Sequence, residues 1–196
     1  TRAFVVDSTI GHDRSQGPLI HTGNDQDFAV KGPGFFAVQG PDGQEAYTRD
    51  GGYIIDEAGI MRTRAGHVIL SDGGPITVPN NTRVAIGEDG TISTVSTEAG
   101  DRAVQILGQI KLVGDANRTD FYKGIDGLFR RNDQQIAQRD ENAKVTAGAL
   151  EGSNVNVVES LVQMIDHARH YDLSIKMMQT ADQNAKSATS IMSLSN

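Results

Sequence analysis

Histidine, carboxylate and hydroxyl side chains are where chemistry would show first, and their spacing in this chain supports little of it. Of the five histidines, His12 and His21 lie in a polar first stretch, His67 precedes an apolar run, and His167 and His170 stand three apart in the last quarter. Positions three apart on a helix share a face, but no His-Glu-x-x-His and no third ligand at metal-like spacing accompanies them. Ser71-Asp-Gly-Gly-Pro75 and Asp50-Gly-Gly52 have the glycines of ligand-cradling loops without the following Gly-Lys-Ser/Thr or a βαβ unit. Asp56-Glu-Ala-Gly59 and Glu88-Asp-Gly-Thr91 resemble fragments of calcium loops whose remaining oxygen ligands are not assembled, and each reads as a β-turn. With 25 acidic residues, carboxylate pairs abound, yet there is no Trp and little aromatic surface to bind a sugar beside one. The serines lack Gly-x-Ser-x-Gly. No catalytic, cofactor-binding or metal-ligating residue is assigned, no cofactor is expected, and the chain does not read as an enzyme.

Composition narrows the partners. The net charge is −7 and the 18 basic residues are scattered, so there is no electrostatic footprint for nucleic acid. Absence of cysteine removes disulfides, thiolate nucleophiles and cysteine metal sites together. No apolar run approaches the roughly 20 residues of a membrane span, so no membrane insertion is expected. The chain opens at Thr1 without Met or a signal pattern and reads as a processed or truncated piece.

The elements are mostly short. Residues 1–22 read as an extended polar lead-in, 23–147 as a β-rich body, and 148–196 as a C-terminal segment holding a long amphipathic helix at about 157–192. In the body, runs such as Phe28–Val30, Phe35–Val38, Tyr53–Ile55 and Thr91–Val95 are punctuated by Gly-containing turns every eight to twelve residues. That punctuation describes an antiparallel sheet architecture. Val104–Val113 predicts the longest strand, and Gln134–Thr146 a polar crossing of the surface. The fold class is therefore mainly β: an antiparallel body of short strands with one long C-terminal α-helix.

From Val157 the apolar period changes from 2 to 3.6. Leu161, Met164, Ala168, Tyr171, Ile175 and Met178 fall on the a and d positions of a heptad, with Asp182 and Thr189 as polar interruptions. Packing of this stripe on the β body is one reading. Against it, thirty-six helical residues span roughly 54 Å, whereas a globule of this length has a radius of gyration of roughly 16 Å. Part of the stripe is therefore expected to want a partner helix, and these six residues are the interface candidates. Ser153 or Asn154 can cap a first turn, and Asn156 is the better N-cap for the periodic run, with Glu159 three residues on.

Two long stretches are similar to one known family. HTGNDQDFAVKGPGFFAVQGPDGQEAYTRDGGYIIDEAG, from His21 to Gly59, resembles the N-terminal part of the body of flagellar rod and hook proteins. GALEGSNVNVVESLVQMIDHARHYDLSIKMMQTAD, from Gly148 to Asp182, resembles their C-terminal helix block. The short middle resembles the proximal rod branch more than the distal one. The resemblance implies a structural subunit of the bacterial flagellar basal-body rod, which spans the periplasm as a drive shaft. It also implies export through the flagellar secretion apparatus. The implied partners are other copies of the chain, neighbouring rod proteins, and the family's own N-terminal helix, which is missing here. Gly23, Asn24, Gly32, Gly34, Phe35, Phe36, Tyr47, Arg49 and Gly51 are expected to determine the fold of the body motif. Within it, Tyr47–Gly51 reads as a satisfied turn and Arg49 is available to tie that turn to a carboxylate. Where the family pattern has proline, this chain has Asp25, which relaxes that turn. The alternatives are a distal rod subunit and, from another class, a β-rich ligand-binding module with a dimerising helix.

Overall fold

Five segments of the chain make the same turn. Gly40–Gly43, Asp56–Gly59, Thr63–Gly66, Gly87–Gly90 and Gly124–Gly127 each close with the N–H of the fourth residue donating to the carbonyl of the first. The first residue's N–H in turn donates to the carbonyl of the residue that follows the turn. The closing glycines, 43, 59, 66, 90 and 127, have φ between 78° and 94°, a region that costs a side chain but not glycine. This is the type I turn with a glycine bulge that joins antiparallel strands by a short loop. In three of them the aspartate at the third position locks the turn by accepting the N–H two residues on: Asp42 from Gln44, Asp89 from Thr91, Asp126 from Leu128.

The computed structural model describes residues 13–97, 103–115 and 120–194. Chain order runs β1 (Leu19–His21), β2 (Phe28–Lys31), β3 (Gly34–Gln39), β4 (Glu45–Thr48), β5 (Tyr53–Ile55), β6 (Met61–Thr63), β7 (Val68–Ser71) and β8 (Gly74–Pro75). It continues with β9 (Thr82–Ile86), β10 (Thr91–Ser96), β11 (Val104–Gln109), β12 (Leu112–Gly114), β13 (Phe121–Lys123), β14 (Phe129–Arg131), β15 (Lys144–Ala147), β16 (Ala149–Glu151) and α1 (Val157–Leu194). The strand pairs are antiparallel. The largest sheet runs β13-β14-β4-β3-β7-β6-β5, with β12 also on β3 and β8 on β7. Beside it lie a three-stranded sheet, β11-β10-β9, and the pairs β1-β16 and β15-β2. The mainly β class with one C-terminal helix is what the sequence predicts.

Strand β3 shows why its sequence, Gly-Phe-Phe-Ala-Val, has no polar residue until Gln39: both its faces are covered. Phe36 and Val38 enter the larger core with Phe28, Met61, Ile69 and Ile92, while Phe35 and Ala37 enter a second cluster with Tyr47, Val113 and Phe121. Ring pairs knit each cluster, Phe28 with Phe36 at 4.9 Å and Phe35 with Phe129 at 4.6 Å.

The long strand expected over Val104–Val113 is two strands in different sheets. The bulge between Ile92 and Ser93 shifts the register against β11. The chain then changes sheets: Ile110 N–H donates to Gly90 in the small sheet's turn, and Lys111 N–H to Leu70 of the large one. Alternation alone cannot show that hand-over. Lys111 itself is buried and places its ammonium 2.7 and 2.9 Å from the Glu45 carboxylate. The lead-in is also more ordered than its polarity suggests, since Leu19–His21 pairs with β16. Within the stretch expected to cross the surface, Lys144–Ala147 pairs with β2. Contacts divide the chain into two units, residues 1–154 and 155–196.

Candidate assembly surface

In the first unit, the chain just after β4 supplies a single arginine that closes several loops. Arg49 Nε donates to Glu151 Oε2 at 2.7 Å, Nη1 to the Gly34 carbonyl at 2.9 Å and Nη2 to the Gly32 carbonyl at 3.1 Å. Its guanidinium also sits 5.9 Å from the centre of the Phe35 ring. The other Glu151 oxygen accepts the Gly17 N–H at 2.9 Å. Only a planar, five-donor group serves a turn and a carboxylate at once in this way. The pair is largely withdrawn from water, with side chains 18% and 11% exposed.

The residues around it bind the first and last parts of the body together. Gly152 N–H donates to the Pro18 carbonyl. Asn154 Nδ2 donates to the carbonyls of Asp13 and Ser15, both at 3.2 Å. A Cβ on Gly17 would lie 2.0 Å from the Gly152 oxygen, so two backbones pass where no side chain fits. A cleft of about 350 Å³ opens there between Asp13, Arg49, Asp50, Phe129, Glu151 and Asn154.

The Thr22–Asp27 turn is held just as closely. Thr22 Oγ1 donates to Asp27 at 2.7 Å, and Asp27 also receives Arg64. Asn24 accepts the Gln26 N–H on its side chain and the Asp27 N–H on its backbone, Gly23 has φ 69°, and the N–H groups of Thr22 and Gly23 both donate to Gly148. Asp25, expected from the sequence to relax this turn, forms an ion pair with Arg83, and its carbonyl accepts the Tyr53 hydroxyl at 3.2 Å. Burial pushes the Tyr53 phenol up to about 12, so it stays a donor. The turn that was expected to relax is fastened at Asp25 by both its carboxylate and its carbonyl.

Of the other expected fold determinants, Phe36 and Phe35 are core, and Tyr47 accepts the Ala137 N–H at 2.7 Å while donating to Glu45 at 2.9 Å. At Gly51 a Cβ would lie 1.6 Å from the Phe28 carbonyl oxygen. The structure thus brings Gly32, Gly34, Phe35 and Arg49 into one cluster and places Gly23 with Asn24 in another. Glu151, Gly17 and Gly152 were not singled out from sequence, and Asn154, read there as a possible helix cap, instead ties the first stretch of the body to its last. A lone glutamate beside a glycine, a hundred residues from its partner, gives no local signal.

In the second unit, α1 begins as its sequence dictates. Asn156 Oδ1 accepts the N–H groups of Val158 and Glu159 at 3.1 and 3.4 Å. Thirty-eight residues follow without a break. Leu161, Met164, Tyr171 and Met178 are between 51% and 67% exposed, Ala168 is exposed and Ile175 is half-buried. Asp182 is paired within the helix, with Lys186 at 2.6 Å. His167 and His170 are exposed, and no group of metal-ligating side chains forms among the described residues. One feature escaped the heptad reading: Val158, Val162 and Ile165, at least half exposed, form a second row about 100° around the axis from the first. The first turns of α1 are therefore apolar over about half their circumference.

Two family models match the chain. The flagellar hook protein FlgE/F/G D1 domain covers residues 29–94, and the flagellar basal body rod FlgEFG protein C-terminal model covers 146–191. The flagellar basal-body rod protein FlgF of Escherichia coli K12 is 36% identical over the whole chain and 79% of its own length. FlgF of Caulobacter vibrioides is 36% identical over 94% of the chain and 73% of its own length. FlgG of Buchnera aphidicola from Schizaphis graminum is 35% identical over 86% of the chain and 66% of its own length. The first model spans the Arg49 cluster's turns and the second spans Glu151, Asn154 and nearly all of α1, so the matches fall on the two features the geometry singles out. The chain belongs to the flagellar hook and basal-body rod protein family, as a FlgF-like rod protein.

Proposed function

We propose that the chain is a structural subunit of the flagellar basal-body rod, in its proximal segment, and that its work is mechanical rather than catalytic. The observation that carries this reading is the contrast within α1: a 38-residue helix, capped and continuous, on which Leu161, Val162, Met164, Ile165, Tyr171, Leu173, Met177 and Met178 all stand half or more exposed. Each buried Leu, Ile or Met is worth about 1.5–3 kcal/mol, so the helix is built to be covered by others. Its a/d row suits coiled-coil pairing with helices of neighbouring axial subunits, and the methionines suit neighbours that are not identical. The body, stiffened by its fastened turns, acts as spacer and outer wall. Torque would pass through many modest contacts along the periplasm-spanning shaft, and delivery would follow the family's route through the flagellar export apparatus.

The test is Leu161→Asp and Ile175→Asp in a strain lacking the native gene. Each is expected to abolish incorporation into rods and motility while the purified protein keeps its β-sheet circular dichroism and melting temperature. Normal incorporation of both variants would overturn the assembly role of this helix face.

A further inference from the structure

The five identical turns make an internal control. Their outermost position, the second residue, is Pro41, Glu57, Arg64 and Glu88 in four of them and Ile125 in the fifth. A proline or a charge is what a solvated type I turn takes there. Ile125 is 111% exposed, more than it would be in an extended chain. It crowns the β13–β14 hairpin, whose Tyr122 is also exposed at 44%. Nothing in the turn's own geometry asks for an aliphatic side chain, because its Asp126 and Gly127 already satisfy it.

The same body has a hollow with an apolar lining. A groove of about 530 Å³ is lined by Ala85, Ile86, Val95, Ala147 and Gly148, with His21 at its side. Asp25 and Arg83 also border it, and the Tyr53 hydroxyl of β5 reaches the Asp25 carbonyl. The groove therefore adjoins the β5 end of the large sheet, while Ile125 projects from the β13–β14 end, six strands away along the path. Both surfaces are already neutralised: Asp126 by Arg130 at the knob, Asp25 by Arg83 at the groove. Joining them leaves no carboxylate without its cation.

We propose that Ile125 of one subunit seats in the Ala85–Val95 groove of a second copy of the chain, as a lateral contact between β bodies. Knob and groove are different patches at opposite ends of one sheet, so the contact is head-to-tail and leaves a free knob and a free groove at each step. That is the open-ended geometry a helical assembly needs and a two-fold dimer lacks. The inference rests on the rod-subunit reading and adds to it a body-to-body contact independent of α1.

These 196 residues hold no cysteine, so Ile125→Cys with Ala85→Cys gives a thiol pair with no competitor among them. In assembled basal bodies, oxidation of the double variant is expected to join copies into dimers and higher multiples, with neither single variant doing so. Ile125→Asp and Ala85→Arg should each lower incorporation at least tenfold with the melting temperature unchanged. Wild-type incorporation of Ile125→Asp, absence of the disulfide in rods that do form, or a cross-link to a protein of different mass would each overturn the proposal. Leu161→Asp separates the two readings. If it blocks assembly while Ile125→Asp does not, the rod role stands and this contact falls; if both variants incorporate normally, this contact falls and so does the assembly role of the α1 face; if the wild-type chain itself is absent from purified rods, the rod reading falls.

Discussion

The β body and α1 use the same kinds of side chain to opposite ends. In the body, Phe28, Phe36, Met61 and Ile69 are fully buried and even the turn carboxylates have partners. In α1, leucine, methionine, valine and tyrosine of similar size stand in solvent. The difference sets stability against the assembly role proposed above: the body buries its apolar side chains in its own core, and the helix leaves most of its own exposed. Apolar content read from composition does not distinguish these uses; burial does.

The sharpest break of that comparison is a matched pair of truncations. Phe36→Ala removes a ring at 0% exposure from the larger core and should cost about 3–5 kcal/mol. Leu161→Ala should leave the stability of the isolated protein unchanged or slightly raised, because alanine is the better helix former and no cavity is made. Chemical denaturation of both reads the difference. Equal losses would mean that α1 is part of the same cooperative core.

Gly51→Ala comes next. Its Cβ would meet the Phe28 carbonyl oxygen, a backbone atom that cannot swing aside. A loss of about 3 kcal/mol or outright misfolding is expected, whereas Gly127→Ala, where no atom lies within 4 Å of the added Cβ, should cost only the positive-φ penalty of about 1–2 kcal/mol. A ranking the other way would show that the chain moves freely around Gly51.

Arg49→Met keeps the stem over Phe35 but removes the ion pair and two carbonyl contacts. For a pair this shielded the expected loss is about 2 kcal/mol. Faster hydrogen exchange should appear first at Gly17 and in the Gly32–Gly34 turn. Arg49→Lys should recover less than half, since an ammonium cannot reach all three acceptors. Full rescue by lysine would reduce the cluster to a point charge.

Much of this was legible in the sequence, for physical reasons that differ by element. The turns were readable because glycine at a fixed offset from aspartate leaves few backbone solutions. The helix was readable because a period of 3.6 is kept for many turns and Asn156 opens it. The sheet-switch between β11 and β12 was not readable, because alternation is blind to which sheet receives a strand. Glu151 was invisible for a similar reason, as its meaning lies in Gly17 and Arg49 and neither is near it in the chain. The second apolar row of α1 was hidden by the heptad itself: once a and d were assigned, Val158, Val162 and Ile165 fell on positions presumed polar. Ile125 stands out only against the other four turns of the same geometry, which carry proline or a charge at its position.

The smallest expected effect concerns acid, and it again sets body against helix. Asp126 is held below the usual carboxylate range first by its hydrogen bonds from Arg130, and Asp56 likewise by Arg62; Asp89 is lowered first by the Thr91 hydroxyl. A carboxylate whose folded pKa lies below its unfolded value, about 3.9, contributes stability that is complete above that value. The contribution is lost as pH falls through the folded one, because the unfolded chain then binds the proton first. These groups are exposed enough for solvent to screen them, so each share is small. The body should therefore melt at a constant temperature from neutrality down to about pH 4 and lose stability below it. Asp126→Asn should melt slightly lower at neutral pH and show a shallower decline in acid, since one titrating group is gone. The signal of α1, followed by helix-specific circular dichroism at 222 nm in the same samples, should not track that decline. If the two signals fell together at one pH, the helix would be drawing its order from the body, and the division of labour between the two regions would fail.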